Sequence, residues 1–379
     1  MPRISDEIAR RTAAPVSVPV FINGRFLTQP FSGVQRFAME MTSALAWAYA
    51  AAGQPAPVVL SPNMAERTPR THPLANAGLP LRFSAVGRRA GQTWEQAELP
   101  AHARAGCLLN LGNTAPLRMR RQAVIIHDAG VFRRPDAYSW RFRAWYKFLH
   151  KRLVRGSARI VTVSNFSRDE IARYLGASPA SIDVIAEGAD HMERLTPDHG
   201  ILQRHGLRPR SYVLAVGNLA AHKNLIGLRD TAVAVAARDC DLVIAGGIDQ
   251  TVFASQQRAV PMPAKYIGRV SDHELRALYE SAACFVFPSF YEGFGLPAVE
   301  AMICGCPVVA ADIPALRELC GEAALYCDPF APSDIAAKVA FLLDHRDAAD
   351  HLRSDGLERV RDYTWAAAAQ RMKAILDHL

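Results

Sequence analysis

The sequence predicts an α/β protein made of two doubly wound, Rossmann-like domains facing across a cleft. Three observations carry this expectation. At 379 residues the chain exceeds one ordinary domain. Short runs of branched and aromatic residues alternate with helical patterns along most of it, as in parallel sheets covered on both faces. A polar, Pro-containing stretch at residues 195–211 interrupts the alternation once, and a second series follows. The expected division is residues 1–198, residues 199–362, and a final amphipathic helix within residues 363–379.

In the first series, residues 18–24 read as a strand, followed by a loop ending in Ser32-Gly33 and a helix over residues 34–52. Further strands are expected at residues 57–60, 81–86, 107–111, 124–127 and 159–163, and the series closes with a strand near residue 182. The second series opens with a strand at residues 212–216, a helix over 224–237 and strands at 241–245 and 265–270. Ser271 and Glu274 form a capping-box signature for a helix reaching Ala283. A strand from Cys284, a glycine-broken turn and a short helix come next, with Pro297 expected as the first helical residue, where its missing N–H costs nothing. A strand at 307–311, a helix at 314–319, a strand at 324–326 and helices from 332 complete the series.

Several classes are set aside by composition. No run of about 18 apolar residues appears. The opening Met1-Pro2-Arg3 lacks the apolar core of a secretory signal. Seven scattered cysteines, an odd number, predict reduced thiols in a cytoplasm, and Cys304-Gly305-Cys306 lacks a second ligand pair, so no metal is expected. The net charge of +8 is uneven: between Arg118 and Arg168 there are 13 Lys/Arg against two acids, leaving the remainder slightly acidic. Such a patch suits an anionic membrane surface or an acidic substrate, and no nucleic-acid motif accompanies it.

The stretch from Cys284 to Ala311 is the chemical centre. Gly293 and Gly295 allow a sharp turn and close approach to a ligand. The helix start after them presents N–H groups and positive dipole, which suits a phosphate. Glu292 and Glu300 frame the turn; beside a phosphate, carboxylates are best used on hydroxyls. A phosphate cradle flanked by two hydroxyl acceptors describes a sugar-nucleotide site. Lys223 follows a strand end and suits a diphosphate, as does His222 when protonated. His127 and Asp128 end a buried strand, where ligand sites gather. Over residues 138–155, Phe142, Trp145, Tyr146, Leu149 and Leu153 share one helical face, with Trp140 and Phe148 among the basic residues Arg141, Arg143, Lys147, Lys151, Arg152 and Arg155. Basic residues interleaved with aromatics favour an anionic membrane interface.

The stretch Glu292 to Glu300 resembles the Glu-x7-Glu motif of retaining glycosyltransferases of family four, which have the GT-B fold. Gly217-x5-Lys223-Asn224, Val270 to Tyr279, Cys304 to Val309 and the helix opened by Tyr363-Thr364-Trp365 are similar to further segments of that family. The resemblance implies that Lys223 holds the donor diphosphate, Glu300 the ribose, and Glu292 and His127 the transferred sugar. Gly293, Phe294 and Gly295 would present N–H groups there; Gly33, Asp128 and Ser164 lie where the family has its glycine loop and donor-sugar contacts. It also implies a C-terminal helix returning to the first domain, and no cofactor beyond the nucleotide-sugar substrate. Two departures stand out: His222 occupies a position often held by arginine, and Gly33 stands beside Ser32 rather than in a glycine pair. Residues 21–36 are similar to bacterial exopolysaccharide mannosyltransferases, which implies GDP-mannose as donor and a polyprenyl-diphosphate-linked saccharide as acceptor. The enzyme would then sit on the inner face of the cell membrane, with Trp140, Arg141, Arg143, Lys147 and Phe148 in contact. The alternatives are transfer from a UDP-sugar to a soluble acceptor, or a non-catalytic nucleotide-sugar-binding protein.

Overall fold

The computed structural model describes residues 18–63, 74, 77–134, 139–247 and 263–379. Met1-Pro2-Arg3 and Tyr138, both used in the sequence reading, lie outside the described residues. Two parallel sheets account for the strands. The first has seven: β1 (Val20–Asn23), β2 (Val58–Pro62), β3 (Arg82–Val86), β4 (Cys107–Asn110), β5 (Gln122–Ile125), β6 (Arg159–Thr162) and β7 (Ile182–Val184), in the order β3-β2-β1-β4-β5-β6-β7. The second has six: β8 (Tyr212–Val216), β9 (Asp241–Ala245), β10 (Lys265–Gly268), β11 (Cys284–Phe287), β12 (Val308–Ala311) and β13 (Leu325–Cys327), in the order β10-β9-β8-β11-β12-β13. Both orders reverse direction once, between β1 and β4 and between β8 and β11. Such a switch point opens a crevice at the carboxyl ends of the two strands concerned.

The contacts divide the chain into two compact units. One comprises the described residues up to Val124, with Gly156–Ala158 and Ala369–Leu379. The other comprises Ile125–Arg155 and Arg159–Ala368. In the first unit, the end of the final helix (Trp365–Asp377) lays Lys373 Nζ 5.1 Å from the ring centre of Tyr49. In the second, the core beneath β8, β9 and β11 is built from Val213, Ala215, Leu242, Ile244, Cys284 and Val286, all essentially without exposure. These strands are covered on both faces, which is why they read as continuous apolar runs rather than alternating ones. Removing a side chain such as Phe285 from water contributes about 1.5–3 kcal/mol.

Several boundaries differ from the sequence reading. Residues 195–211 contain the short helix Gly200–Arg204. The 224–237 helix opens as a 3-10 turn, Leu225–Leu228, because Asn224 takes a left-handed conformation (φ 52°), and the α-helix runs Arg229–Ala236. Pro297 is the second residue of its helix, since Leu296 begins it. The basic helix spans Trp140–Val154. Leu149 and Leu153 are buried as expected, but Phe142 is 38% exposed and stacks on Tyr146 instead. His150 takes a buried place on that face. Among the described residues, no helix is long and apolar enough to cross a membrane.

The capping box is present in full: Ser271 Oγ accepts from Glu274 N, and Glu274 Oε2 accepts from Ser271 N at 2.6 Å. Replacing Ser271 with alanine is expected to lower stability by about 1 kcal/mol. A urea titration followed by circular dichroism measures it.

Candidate active site

Four strand ends of the second unit converge on one place. His127 and Asp128 follow β5, Ser164 follows β6, Lys223 stands on the loop after β8, and residues 288–295 follow β11. The loops after β8 and β11 flank the switch point of the second sheet.

The glycine turn is fixed by what surrounds it. A Cβ on Gly293 would lie 2.7 Å from the His127 carbonyl oxygen and 2.8 Å from Asp128 Cβ, so only glycine fits without displacing backbone. The carbonyl of Gly293 accepts from Ser164 Oγ at 2.6 Å and Ser167 Oγ at 2.9 Å. Tyr291, two residues earlier, accepts the N–H of Ala129 on its hydroxyl at 3.2 Å. Gly295 takes φ +114° and would strike Leu316 if it bore a side chain. It caps the helix Leu296–Ile303. Among the described residues, the N–H groups of Gly293, Phe294 and Gly295 have no acceptor. The turn therefore keeps its carbonyl inward, on two serines, and leaves three donors at a positive helix end for a ligand.

The charges beside the turn are dense. Lys223 Nζ donates to Glu292 Oε1 at 2.8 Å, with side-chain exposures of 19% and 12%. The same ammonium lies 5.4 Å from the ring centre of Phe287, which holds it over the strand end. Burial, and then the neighbouring Lys223 charge, push the His222 imidazole below its ordinary 6.5, so it is neutral at physiological pH. Burial likewise pushes the Asp128 carboxyl up, and the charge of Glu292 adds to this; the Gly130 N–H at 2.7 Å, His127 and Lys223 oppose it. His127 is buried, with Nδ1 3.6 Å from Oε1 of the equally buried Glu187.

Glu300 is the fifth residue of its helix and is 6% exposed. Its Oε1 meets His191 Nε2 at 3.0 Å, and His191 Nδ1 faces Trp365 Nε1 at 3.2 Å.

Comparison with known proteins gives this geometry a family. The family model "Glycosyltransferase Family 4" matches residues 32–193, and "Glycosyl transferases group 1" matches residues 202–359. The O-antigen chain mannosyltransferase B of Escherichia coli is 32% identical over 262 residues, 66% of this chain and 68% of that protein. The chain belongs to glycosyltransferase family 4. A second relative, the O-antigen chain mannosyltransferase RfbU of Salmonella typhimurium, is 31% identical over 57% of this chain and 59% of its own length. In fold, the sucrose-phosphate synthase of Thermosynechococcus elongatus matches with a TM-score of 0.71, covering 94% of this chain and 98% of that one at 19% identity. The two parallel sheets are those of the GT-B fold.

Within the second unit, this glycosyltransferase thus gathers Lys223, His222, Glu292, Gly293, Phe294, Gly295, His127, Asp128 and Ser164 around one turn. Gly33 belongs to the first unit, where it starts the helix Gly33–Ala51 with open space on its Cβ side, so packing does not demand a glycine there. Of the five residues expected at a membrane, Trp140 (71% exposed), Arg141 and Phe148 (50%) are exposed. Arg143 and Lys147 are half-buried, with Lys147 Nζ 5.6 Å from the Phe132 ring centre. Sequence reading missed Glu187, Ser167, Tyr291, His191 and Glu318. The Glu318 carboxylate accepts the N–H groups of Asn165 and Phe166, both at 2.8 Å, and so caps the helix Asn165–Leu175. Only the Ser164-x-x-Ser167 spacing offered a signal for any of these, as an N-cap.

An acid whose proton is held more tightly in the folded state favours folding below its ordinary value, here 3.8, and loses that contribution as pH rises through the raised value. Asp128→Asn keeps an acceptor for Gly130 and removes the loss. It is expected to raise Tm by roughly 2–4 °C at about pH 7 and to give no gain at about pH 3.5. Thermal denaturation of both proteins at the two pH values checks the sign.

Proposed function

We propose that this enzyme is a retaining mannosyltransferase that moves mannose from GDP-mannose onto a lipid-linked oligosaccharide in polysaccharide assembly. The observation that carries this reading is the joining of one ammonium, Lys223, to three unpaired N–H groups at a glycine turn flanked by Glu292 and Glu300. Lys223 and the helix end receive the diphosphate, and Glu300 takes the ribose. Glu292 and His127 face the transferred sugar, and the turn N–H groups reach from the sugar to the diphosphate. The bond from the anomeric carbon to the diphosphate oxygen breaks as the acceptor hydroxyl oxygen bonds to the same face, and the hydroxyl proton leaves with the nucleoside diphosphate. Charge develops on both sides of the breaking bond: anionic at the diphosphate, where Lys223 stands, and cationic at the sugar, where Glu292 stands. Preorganised charges of this kind are the largest single contribution in many enzymes. No cofactor enters this reading.

Mannose as the transferred sugar is supported by the O-antigen mannosyltransferases to which the chain is similar. A lipid-linked acceptor at an anionic membrane surface is supported by the exposed Trp140, Arg141 and Phe148 on a strongly basic helix.

Glu292→Ala and Lys223→Ala are each expected to reduce transfer at least roughly 100-fold while leaving the circular dichroism spectrum unchanged. Full activity in either variant contradicts the assigned roles. Transfer from UDP-glucose with GDP-mannose ignored overturns the donor.

For the membrane, the combined variant Trp140→Ala, Arg141→Gln and Phe148→Ala is expected to bind anionic phosphatidylglycerol vesicles at least roughly tenfold more weakly. Unchanged sedimentation with vesicles at low salt rules that surface out.

A further inference from the structure

We infer that His191 is a positioning residue for the donor's ribose: it orients Glu300, and Trp365 sets which of its ring nitrogens carries the proton. The inference rests on Glu300 as the ribose ligand, as proposed above. An indole N–H only donates. Trp365 Nε1 points at His191 Nδ1 at 3.2 Å, so Nδ1 is the acceptor and bears no proton. The single ring proton is then on Nε2, which donates to Glu300 Oε1 at 3.0 Å. His191 (3% exposed), Trp365 (1%) and Glu300 (6%) are buried together, away from bulk solvent.

The two residues before the histidine are tied to residues 363–365. The N–H of Ala189 donates to the Tyr363 carbonyl at 2.8 Å, and the N–H of Trp365 donates to Asp190 Oδ1 at 2.8 Å. Gly188 permits this approach, because a Cβ there would lie 2.3 Å from Trp365 N. Residues 188–191 and 363–365 therefore form one block, and the start of the final helix reads out on Glu300. A neutral donor on one oxygen turns the carboxylate without cancelling its charge, and leaves the remaining lone pairs for hydroxyls. A protonated ring would lose the Trp365 bond, and the opposite tautomer would lose both.

The test compares binding of GDP and its 2′,3′-dideoxy analogue by calorimetry, with UDP and its dideoxy analogue run in parallel. His191→Leu is expected to weaken nucleotide binding roughly tenfold, the loss of a hydrogen bond to a charged group, and to leave the dideoxy analogue unaffected. Donor KM rises by a similar factor with kcat within about twofold. His191→Gln, whose amide N–H reaches near the Nε2 position, is expected to restore most of the affinity, and Trp365→Phe to cost roughly threefold. If Glu300→Ala weakens nucleotide binding and folded His191→Leu does not, the inference fails while the ribose assignment stands. Equal weakening of the ribose and dideoxy forms also overturns it, since that marks a general structural defect. If Glu300→Ala binds nucleotide normally, the ribose assignment fails and takes the inference with it. Should His191→Leu not fold, the same comparison is made on His191→Gln and Trp365→Phe. Full wild-type affinity in Trp365→Phe then removes the tautomer argument.

Discussion

The site depends on a missing side chain. Gly293 lets the loop after β11 touch the His127 carbonyl and the Asp128 side chain, at distances that any Cβ would forbid. Two serine hydroxyls then take the Gly293 carbonyl, and the Tyr291 hydroxyl takes the Ala129 N–H. Once these contacts are made, the rest of the turn has little freedom. Its carbonyl faces inward, its N–H groups face the ligand side, and Glu292 comes within reach of Lys223. An enzyme that stabilises developing charge needs this sort of rigidity more than it needs any single reactive group.

The electrostatics follow from the same crowding. Glu292 faces the Lys223 ammonium at the turn, while burial pushes the Asp128 carboxyl toward its neutral form. His222 adds nothing at physiological pH, because burial and Lys223 hold it neutral. In the proposed reading a diphosphate draws on backbone donors and the helix end, roughly half a positive charge, as much as on side-chain cations. On the proposed reading Glu292 has two parts: it holds Lys223 in place before the donor arrives and faces the sugar afterwards.

Much of the fold was legible. The strands at Tyr212–Val216 and Asp241–Ala245 fall where the apolar runs put them, because a strand buried on both faces has a composition found in few other settings. The Ser271–Glu274 capping box was legible for a similar reason: both bonds are local. The gathering of Lys223 with Glu292 was readable only through the motif, as 69 residues separate them. What escaped was nonlocal. His191 meets Glu300 across 109 residues and Trp365 across 174, and no periodicity encodes either meeting. The basic helix shows the converse limit. Its angular plot sorted residues into faces, yet could not say that Phe142 would stay half in solvent or that Phe132 would cover Lys147.

One measurement bears most directly on the central claim, that the glycine turn and Lys223 form the donor site: a crystal structure of the enzyme with GDP-mannose bound. The account predicts a diphosphate oxygen within hydrogen-bond distance of Lys223 Nζ and of the residue 293–295 N–H groups, with the ribose hydroxyls on Glu300. A nucleotide bound elsewhere, with those N–H groups still unpaired and Glu300 making no contact with the ribose, would contradict it.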